Sequence, residues 1–235
     1  ENYLSLITDE DNNYDRANNP FGSGRVKHAF WLDSEKFYQS NLLFFQKNGM
    51  LLKESFSLND FNPEEGVYKG KNYDHIIFCC GYQNKDLPFF AELPIQQTKG
   101  QTLTISSNEI PDNESLNRKC FVLPLGNSVF RIGATYEWNN YSLSPTDEGK
   151  ELLLSNLNVL GDFKRTIMSQ HAGVRPTVLD RRPILGKHPE FSKLFIFNGL
   201  GTKGYMMAPT LSREFANYLI DGITISKEIS SERFI

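Results

Sequence analysis

A glycine-rich turn near the C-terminus carries the residues of this sequence best suited to chemistry. Residues 199–205 read GLGTKGY and follow residues 194–197, a short apolar run that predicts a buried strand. Apolar residues then recur every four positions, which predicts a helix that begins near Ala208, carries Pro209 in its first turn and ends at Gly222. Strand, turn and helix N-terminus together direct backbone N–H groups towards one point, and this arrangement suits an anion or a carbonyl oxygen.

The same turn matches the G-x-G-x-x-G fingerprint of dinucleotide-binding proteins through Gly199, Gly201 and Gly204. Glu228 would then be the acidic residue that follows about twenty positions later. The motif leaves room for only one further strand, predicted at residues 223–225, whereas a nucleotide-binding fold continues to build its sheet. This is therefore the weaker interpretation of the turn.

Three motifs in fixed order identify a resemblance to a known family. They are Gly-x-Arg-Pro at residues 173–176, Asp-x-x-Pro-x-x-Gly at 180–186, and the glycine-rich turn followed by Ala208-Pro209. In this order they resemble the C-terminal part of the D-amino-acid oxidase superfamily of FAD-dependent oxidoreductases, and most of all its glycine oxidase-like and sarcosine oxidase-like members. Upstream segments that fit the same family lie at residues 76–81, 99–101 and 132–137.

The resemblance implies a fold class that mixes α/β and α+β structure, in which a partial FAD-binding, Rossmann-like half is interleaved with an antiparallel-sheet substrate domain. It implies that residues 1–33 and 97–179 belong to the substrate domain and that residues 34–96 and 180–235 belong to the FAD domain. Family members begin with a strand, a G-x-G-x-x-G loop and a helix that hold the ADP half of FAD. The sequence begins at Glu1 without them, so we expect a truncated form that is not competent until the missing N-terminal FAD-binding segment is restored.

The resemblance also implies the activity and the residues of the site. The expected reaction is oxidation of a small amine or amino acid to an imine by hydride transfer to FAD. Gly186 is expected to let the backbone approach the ribityl chain, and the glycine-rich turn to stabilise negative charge on the reduced flavin, with Lys203 adding a positive charge. The expected FAD contacts are Cys80, Gly81, Gly186, Gly199, Leu200, Gly201, Thr202, Lys203, Gly204 and Tyr205.

Arg175 is the residue that we expect to bind a substrate carboxylate. A guanidinium pairs with a carboxylate through two parallel hydrogen bonds, which a lysine cannot form. The alternative is an ion pair between Arg175 and Asp180 or Glu137. Tyr136 is expected in the wall of the substrate pocket, and no catalytic base is required if the amine binds in its neutral form.

Composition limits the remaining choices. The 235 residues carry a formal net charge of -3, which gives no electrostatic footprint for nucleic acid. Three cysteines, two of them adjacent, form neither a disulfide framework nor a metal-binding spacing, and they favour the reducing cytoplasm. No apolar run approaches the ~18 residues needed to cross a membrane. Two alternatives stay open, namely the oxidase domain of a tRNA-modifying enzyme and a non-catalytic domain that binds a carboxylate.

The coarse secondary structure follows from periodicity and capping residues. Helices are predicted from Asp33 or Ser34 to Asn48 and from Pro145 through Leu157. Residues 76–80, apolar throughout, predict a parallel strand covered on both faces. Further strands are predicted at residues 25–32, 50–56, 66–68, 101–105, 119–125, 128–135 and 165–174, with a hairpin turn at 125–127 and with the last strand ending at Arg175.

Overall fold

The computed structural model describes residues 4–7, 17–20 and 22–234. The chain divides into two compact units, of which the first contains Glu1–Phe30 and Gln97–Val174 and the second contains Trp31–Gln96 and Arg175–Ile235. The substrate and FAD roles assigned to the parts of the chain stay a prediction.

The described residues form three α-helices and a series of strands, most of them short. The helices are α1 (Ser34–Lys47), α2 (Asp147–Leu160) and α3 (Gly204–Asp221). The strands are β1 (Leu4–Ile7), β2 (Ser23–Val26), β3 (Phe61–Asn62), β4 (Val67–Tyr68), β5 (Lys71–Asn72), β6 (Ile76–Phe78), β7 (Ile95–Ser106), β8 (Leu116–Asn117), β9 (Phe121–Gly126), β10 (Val129–Gly133), β11 (Glu137–Trp138), β12 (Thr166–Val178), β13 (Ile184–Lys187) and β14 (Leu194–Asn198).

An antiparallel sheet forms the centre of the first unit. Its order is β11-β7-β10-β9-β8, and β12 pairs with β7 on a branch off this path. The hairpin between β9 and β10 is confirmed, and Asn127 and Ser128 occupy the turn with φ values of 55° and 57°. Two left-handed residues in a row match the twist of the paired strands, as in a type I′ turn.

Helix α2 covers one face of this sheet. It begins where the side chain of Thr146 accepts a hydrogen bond from the Gly149 amide at 3.1 Å, which confirms the predicted helix. Leu153 and Leu157 are fully buried. The residues of β7 and β10 in the same core are Leu103, Ile105, Phe130 and Ile132.

The second unit contains a three-stranded sheet of order β13-β14-β6. Strands β14 and β6 run parallel, with Leu194 opposite Ile76, so the prediction of a parallel strand is confirmed. The prediction that this strand is covered on both faces is wrong, because Ile77 is 40% exposed. The physical reason is that Ile76 and Phe78 face the core of this unit, whereas Ile77 points to the opposite face, which the described residues leave uncovered.

Helix α3 packs on this sheet through Leu211 and Phe215, which share a core with Leu185 and Phe195. It begins at Gly204 and not near Ala208, and Pro209 is its sixth residue. A 3-10 turn at Gly201–Lys203 leads directly into the helix, so the proline does not mark its start. The predicted end is confirmed, since Gly222 follows the helix with φ 68°.

Several predicted strands are shorter, longer or absent. Residues 50–56 form no strand, and the strand predicted at 25–32 ends at Val26 because a turn with His28 at φ 55° follows. Residues 223–225 form no strand either, since the Ile223 amide bonds back to the Asn217 carbonyl at the end of α3.

Strand β12 is longer than predicted. It does not end at Arg175 but continues to Val178, so Arg175 lies inside the strand. None of the helices in the described part of the chain is long and apolar enough to cross a membrane.

Candidate functional site

The glycine-rich turn lies at the carboxyl ends of two parallel strands. Strand β14 ends at Asn198 and leads into the turn, while the neighbouring β6 ends at Phe78 and leads to Cys80 and Gly81. Because parallel strands point their carboxyl ends to the same edge of a sheet, the two segments lie side by side. Ligands of open α/β sheets bind at this edge.

Asn198 joins the two segments. Its side-chain Nδ2 donates to the Gly81 carbonyl at 2.9 Å, and its Oδ1 accepts from the Gly199 amide at 2.8 Å. The residue is buried. The sequence analysis missed Asn198, although a single polar residue at the end of an apolar run and directly before two glycines is a usable signal.

Two glycines of the turn adopt a left-handed backbone conformation, and one of them also has no room for a side chain. Gly199 has φ 74°, and a Cβ at this position would meet Cγ2 of Val178 at 2.8 Å. Gly201 has φ 55°, and the nearest atom to a Cβ there would be Cγ2 of Thr177 at 3.7 Å. Gly199 therefore permits close packing on the sheet, whereas Gly201 leaves room beside the turn.

Three backbone amides of the turn, those of residues 200–202, have no acceptor within the described residues. The Lys203 amide bonds to the Leu200 carbonyl at 3.2 Å, but the amides of residues 200–202 find no partner among residues 4–7, 17–20 and 22–234. Helix α3 begins immediately afterwards, without a side-chain cap on its first turn. Free N–H groups and the positive end of a helix dipole can together stabilise an anion or a carbonyl oxygen.

Lys203 and Tyr205 lie at the mouth of this turn, and both are exposed. The ring of Tyr205 meets the ring of Phe37 from α1 edge to face, with 5.7 Å between centroids. Lys203 precedes the first residue of α3. Its contribution of a positive charge to a ligand stays a prediction.

Arg175 is half-buried in β12. Asp180 and Glu137, the two acids named as alternative partners of Arg175, each have contacts of their own. Asp180 pairs with Arg233, with 3.0 Å between Oδ2 and Nε. The carboxylate oxygens of Glu137 accept hydrogen bonds from Gln101 at 2.8 Å and from Asn140 at 3.0 Å. The role of Arg175 as a carboxylate ligand stays a prediction.

The structure explains why residue 186 is a glycine and why the thiol of Cys80 is unreactive. A Cβ at Gly186 would overlap Oγ of Ser231, so the close approach seen at this glycine is made by the C-terminal turn. The predicted contact of Gly186 with a ribityl chain is untested. Burial raises the pKa of the Cys80 thiol, which keeps it protonated at neutral pH and makes it a poor nucleophile.

Tyr136 lies in the first unit, where a buried polar network fixes the backbone on both sides of it. The Gln101 amide donates to Oγ1 of Thr135 at 2.9 Å, and the Gln101 side chain donates to Oε1 of Glu137 at 2.8 Å. Oε1 of Gln101 accepts from the Thr146 amide at 2.8 Å and from Nε2 of Gln170 at 2.9 Å. The sequence analysis gave Gln101 no such role, because its partners are distant in sequence.

The described residues contain no group of three or more His, Cys, Asp or Glu side chains that could hold a metal ion.

Comparisons with known proteins place this geometry in a family. Residues 7–218 match the family described as FAD dependent oxidoreductase. The glycine oxidase of Bacillus subtilis (strain 168) is 24% identical over 215 residues, which cover 88% of this chain and 53% of the relative. The tRNA 5-methylaminomethyl-2-thiouridine biosynthesis bifunctional protein MnmC of Actinobacillus pleuropneumoniae serotype 5b (strain L20) is 23% identical, with coverage of 89% of this chain and 38% of the relative. The chain thus spans about half the length of the first of these relatives and less of the second.

Solved structures confirm the predicted mixture of α/β and α+β structure. L-proline dehydrogenase from P. horikoshii superposes with a TM-score of 0.70 at 18% identity, over 94% of this chain and 65% of that one. Iminodiacetate oxidase (IdaA) from Chelativorans sp. BNC1 superposes with a TM-score of 0.67 at 21% identity, over 89% of this chain and 60% of that one.

Proposed function

Because the chain belongs to the family of FAD-dependent oxidoreductases, we propose that it serves the oxidation of a small amine or amino acid. The chemistry supplied by bound FAD is the acceptance of a hydride equivalent from the carbon beside the amine nitrogen, which leaves an imine for water to hydrolyse. The observation that carries the proposal is the group of amides at residues 200–202, for which the described residues supply no acceptor, just before a helix that starts without a side-chain cap.

The residues of the turn fit an electron-rich edge of the cofactor. Amides without a protein acceptor can donate hydrogen bonds to a ligand that supplies one. Gly201 adds no side chain beside these amides, and Asn198 holds the turn beside Gly81. Gly199, Leu200, Thr202, Gly204 and Tyr205 complete the proposed contact, and Lys203 would add its positive charge.

The substrate side of the proposal rests on Arg175 and Tyr136. Arg175 would bind the carboxylate of an amino acid and so orient its amine, while the ring of Tyr136 would exclude water from the apolar part of the substrate. Neither residue has to move a proton if the amine arrives in its neutral form.

A nucleotide-binding segment for the ADP half of FAD is part of the proposal, as is a location in the cytoplasm. Helix α1 buries none of its residues, and the strand order of its unit ends at β6 with Ile77 exposed. A strand–glycine loop–helix segment could add a parallel strand to β6 and cover this apolar surface. Large side chains that are exposed around α1 are Phe30, Trp31, Leu32, Tyr38, Leu43, Phe44, Phe45, Met50 and Leu52.

Flavin retention tests the proposal. The chain is purified with and without an N-terminal nucleotide-binding segment fused to it, and the visible absorption of the protein is recorded after gel filtration. We expect flavin colour only with the segment, and we expect Asn198→Ala to lose it, whereas the exposed change Asn41→Ala in α1 retains it. A colourless fusion protein with intact secondary structure would refute the proposal.

The role of Arg175 needs a kinetic test of its own. In the flavin-loaded protein, Arg175→Met should raise KM for amino acids much more than KM for simple amines of the same size. Arg182→Met, which removes an exposed arginine seven residues away, is the matched control and should change neither. Equal effects of Arg175→Met on both substrate classes would remove Arg175 from the carboxylate site.

The likeness to MnmC supports a second candidate, an oxidase that acts on a modified tRNA. The net charge of -3 opposes it, because tRNA binding favours a basic surface. Turnover of a modified tRNA, with no turnover of free amino acids, would favour this candidate. Carboxylate binding by a protein that never retains flavin would instead indicate a non-catalytic module.

A further inference from the structure

The dipeptide Asn-Gly occurs twice in the chain, at residues 48–49 and 198–199. An asparagine in this dipeptide can lose its side-chain amide spontaneously, because glycine has no Cβ to keep its backbone nitrogen away from the asparagine side chain. The glycine nitrogen attacks Cγ of the asparagine, the bond between Cγ and Nδ2 breaks, and ammonia leaves with the proton of the glycine amide. Water then opens the cyclic imide and leaves a carboxylate on the side chain or on the main chain.

The dipeptide at residues 198–199 is held by the fold. Asn198 is 2% exposed, and its Nδ2, the group that would leave, donates to the Gly81 carbonyl at 2.9 Å. Its Oδ1 accepts a hydrogen bond from the Gly199 amide at 2.8 Å. A Cβ at Gly199 would meet Cγ2 of Val178 at 2.8 Å, so the backbone of this glycine is closely packed. Deamidation of Asn198 therefore requires this edge of the sheet to open.

The dipeptide at residues 48–49 lies exposed at the C-terminal end of α1. Nδ2 of Asn48 donates to the Phe44 carbonyl at 2.8 Å, and the Gly49 amide donates to the Gln46 carbonyl at 3.2 Å. A Cβ at Gly49 would meet nothing within 4 Å among the described residues, so packing does not restrain this glycine. Both hydrogen bonds belong to the last turn of a helix that buries none of its residues, and such a turn opens at a low free energy.

We infer that Asn48 is a site of spontaneous deamidation, whereas the fold protects Asn198. This inference does not depend on the proposed oxidase function. The product carries a negative charge at the C-terminal end of α1, where the helix dipole is also negative. It also lacks the Nδ2 group that donates to the Phe44 carbonyl. Deamidation of Asn48 therefore weakens the end of the helix and adds a charge to the exposed surface of α1.

Peptide mapping by mass spectrometry measures the reaction at both dipeptides in one sample. The full chain is incubated in mildly alkaline buffer, with and without a denaturing concentration of guanidinium chloride, and the conversion of each asparagine is followed over time. In denaturant both should react readily, since a glycine follows each of them. In the folded protein we expect Asn48 to react within about tenfold of its rate in denaturant, and Asn198 to react at least about a hundredfold more slowly than in denaturant.

The outcomes that overturn the inference are defined by the same ratios. Slowing of Asn48 by more than about tenfold on folding refutes the site at Asn48, and slowing of Asn198 by less than about a hundredfold refutes its protection. Asn48→Gln is the matched control, because it keeps a neutral amide at the same exposed position. It should abolish the conversion at residue 48 and leave the rate at Asn198 unchanged.

Asn48→Asp reproduces one of the products and tests the consequence for α1. Amide hydrogen exchange in the last turn of the helix should be about twofold to fivefold faster in Asn48→Asp than in the parent protein, because a negative charge lies at the negative end of the helix dipole. Asn48→Gln adds no charge and should exchange more slowly than Asn48→Asp. Equal exchange in the two variants would refute the effect of the charge on the helix.

Discussion

Helices α1 and α2 have the same length and opposite surroundings. Each contains 14 residues and begins with a side-chain cap, since Asp33 accepts from the Lys36 amide and Thr146 accepts from the Gly149 amide, both at 3.1 Å. Helix α2 buries four of its residues, whereas α1 buries none. The first unit thus covers its helix with its own sheet, and the second unit leaves an apolar helix exposed.

The difference shows that local sequence determines where a helix forms but not what covers it. Helix α1 carries three phenylalanines, a tyrosine and two leucines, which is as apolar a set as the leucines and valine of α2. Its capping residues and its length give it a start and an end without a buried face. Such a surface in a folded unit is typical of a region that receives a further segment.

A pair of identical substitutions tests this comparison and has the largest expected effect. Leu157→Ala in α2 removes a fully buried side chain and should lower the free energy of unfolding by about 2–5 kcal/mol. Leu43→Ala in α1 removes a side chain that is 52% exposed and should cost less than about 0.5 kcal/mol. Urea denaturation of the chain measures both. Similar losses for the two variants would mean that α1 is covered after all.

The same two variants, measured with the nucleotide-binding segment present, test whether that segment covers α1. If that segment covers α1, Leu43→Ala should then become destabilising while the cost of Leu157→Ala stays the same. An unchanged cost of Leu43→Ala in the flavin-loaded protein would place the segment elsewhere.

Polar contacts in the two regions differ in the same way. Gln101 is fully buried and joins α2 to β11 and β12 through its side chain, whereas Gln39 of α1 donates to Glu35 at an exposed position. Gln101→Leu leaves the Thr146 amide and Glu137 without their partner and should cost about 1–3 kcal/mol. Gln39→Leu is the matched control and should be nearly neutral. Glu137 lies between Tyr136 and Trp138, whose rings meet edge to face. A shift of the Trp138 fluorescence in Gln101→Leu alone would show that the hydrogen bonds of Gln101 also position these two rings.

Elements whose signals are local were predicted from the sequence. Asp33 was predicted as a helix cap, Asp147 and Glu148 suit the first turn of the second helix, and the hairpin was predicted from a turn at residues 125–127 between two alternating segments, so local preferences were sufficient. Pro209 was misleading, since a proline in the second turn of the helix was interpreted as part of its first turn. Residues 50–56 are apolar enough for a strand, but none of the described strands pairs with them.

The candidate site was predicted in part for the same reason. Residues 199–205 are contiguous, and their role as a turn between strand and helix follows from local rules. Asn198 and Gln101 depend on partners at distant positions, which the register of the sheets decides. The contact of Gly186 with a cofactor rests on the resemblance and stays a prediction, and the structure adds that Ser231 lies beside this glycine.

The smallest expected effect concerns an ion pair that holds the end of the second unit. Partial burial raises the pKa of Asp180, but the hydrogen bonds from Arg233 and from the Arg182 amide outweigh it, so the net pKa lies below its usual value of 3.8. The pair therefore stabilises the folded state fully above that usual value, and the stabilisation is lost as the pH falls through the lowered pKa. Because the carboxylate is partly exposed, solvent limits the contribution to less than about 1 kcal/mol.

Asp180→Asn should be slightly less stable than the parent protein at pH 7, and this gap in unfolding free energy should close towards pH 2. Urea denaturation across that range measures the gap, with the exposed change Asp112→Asn in the first unit as the control; a gap that does not vary with pH would mean that Asp180 acts through its shape and not through its charge.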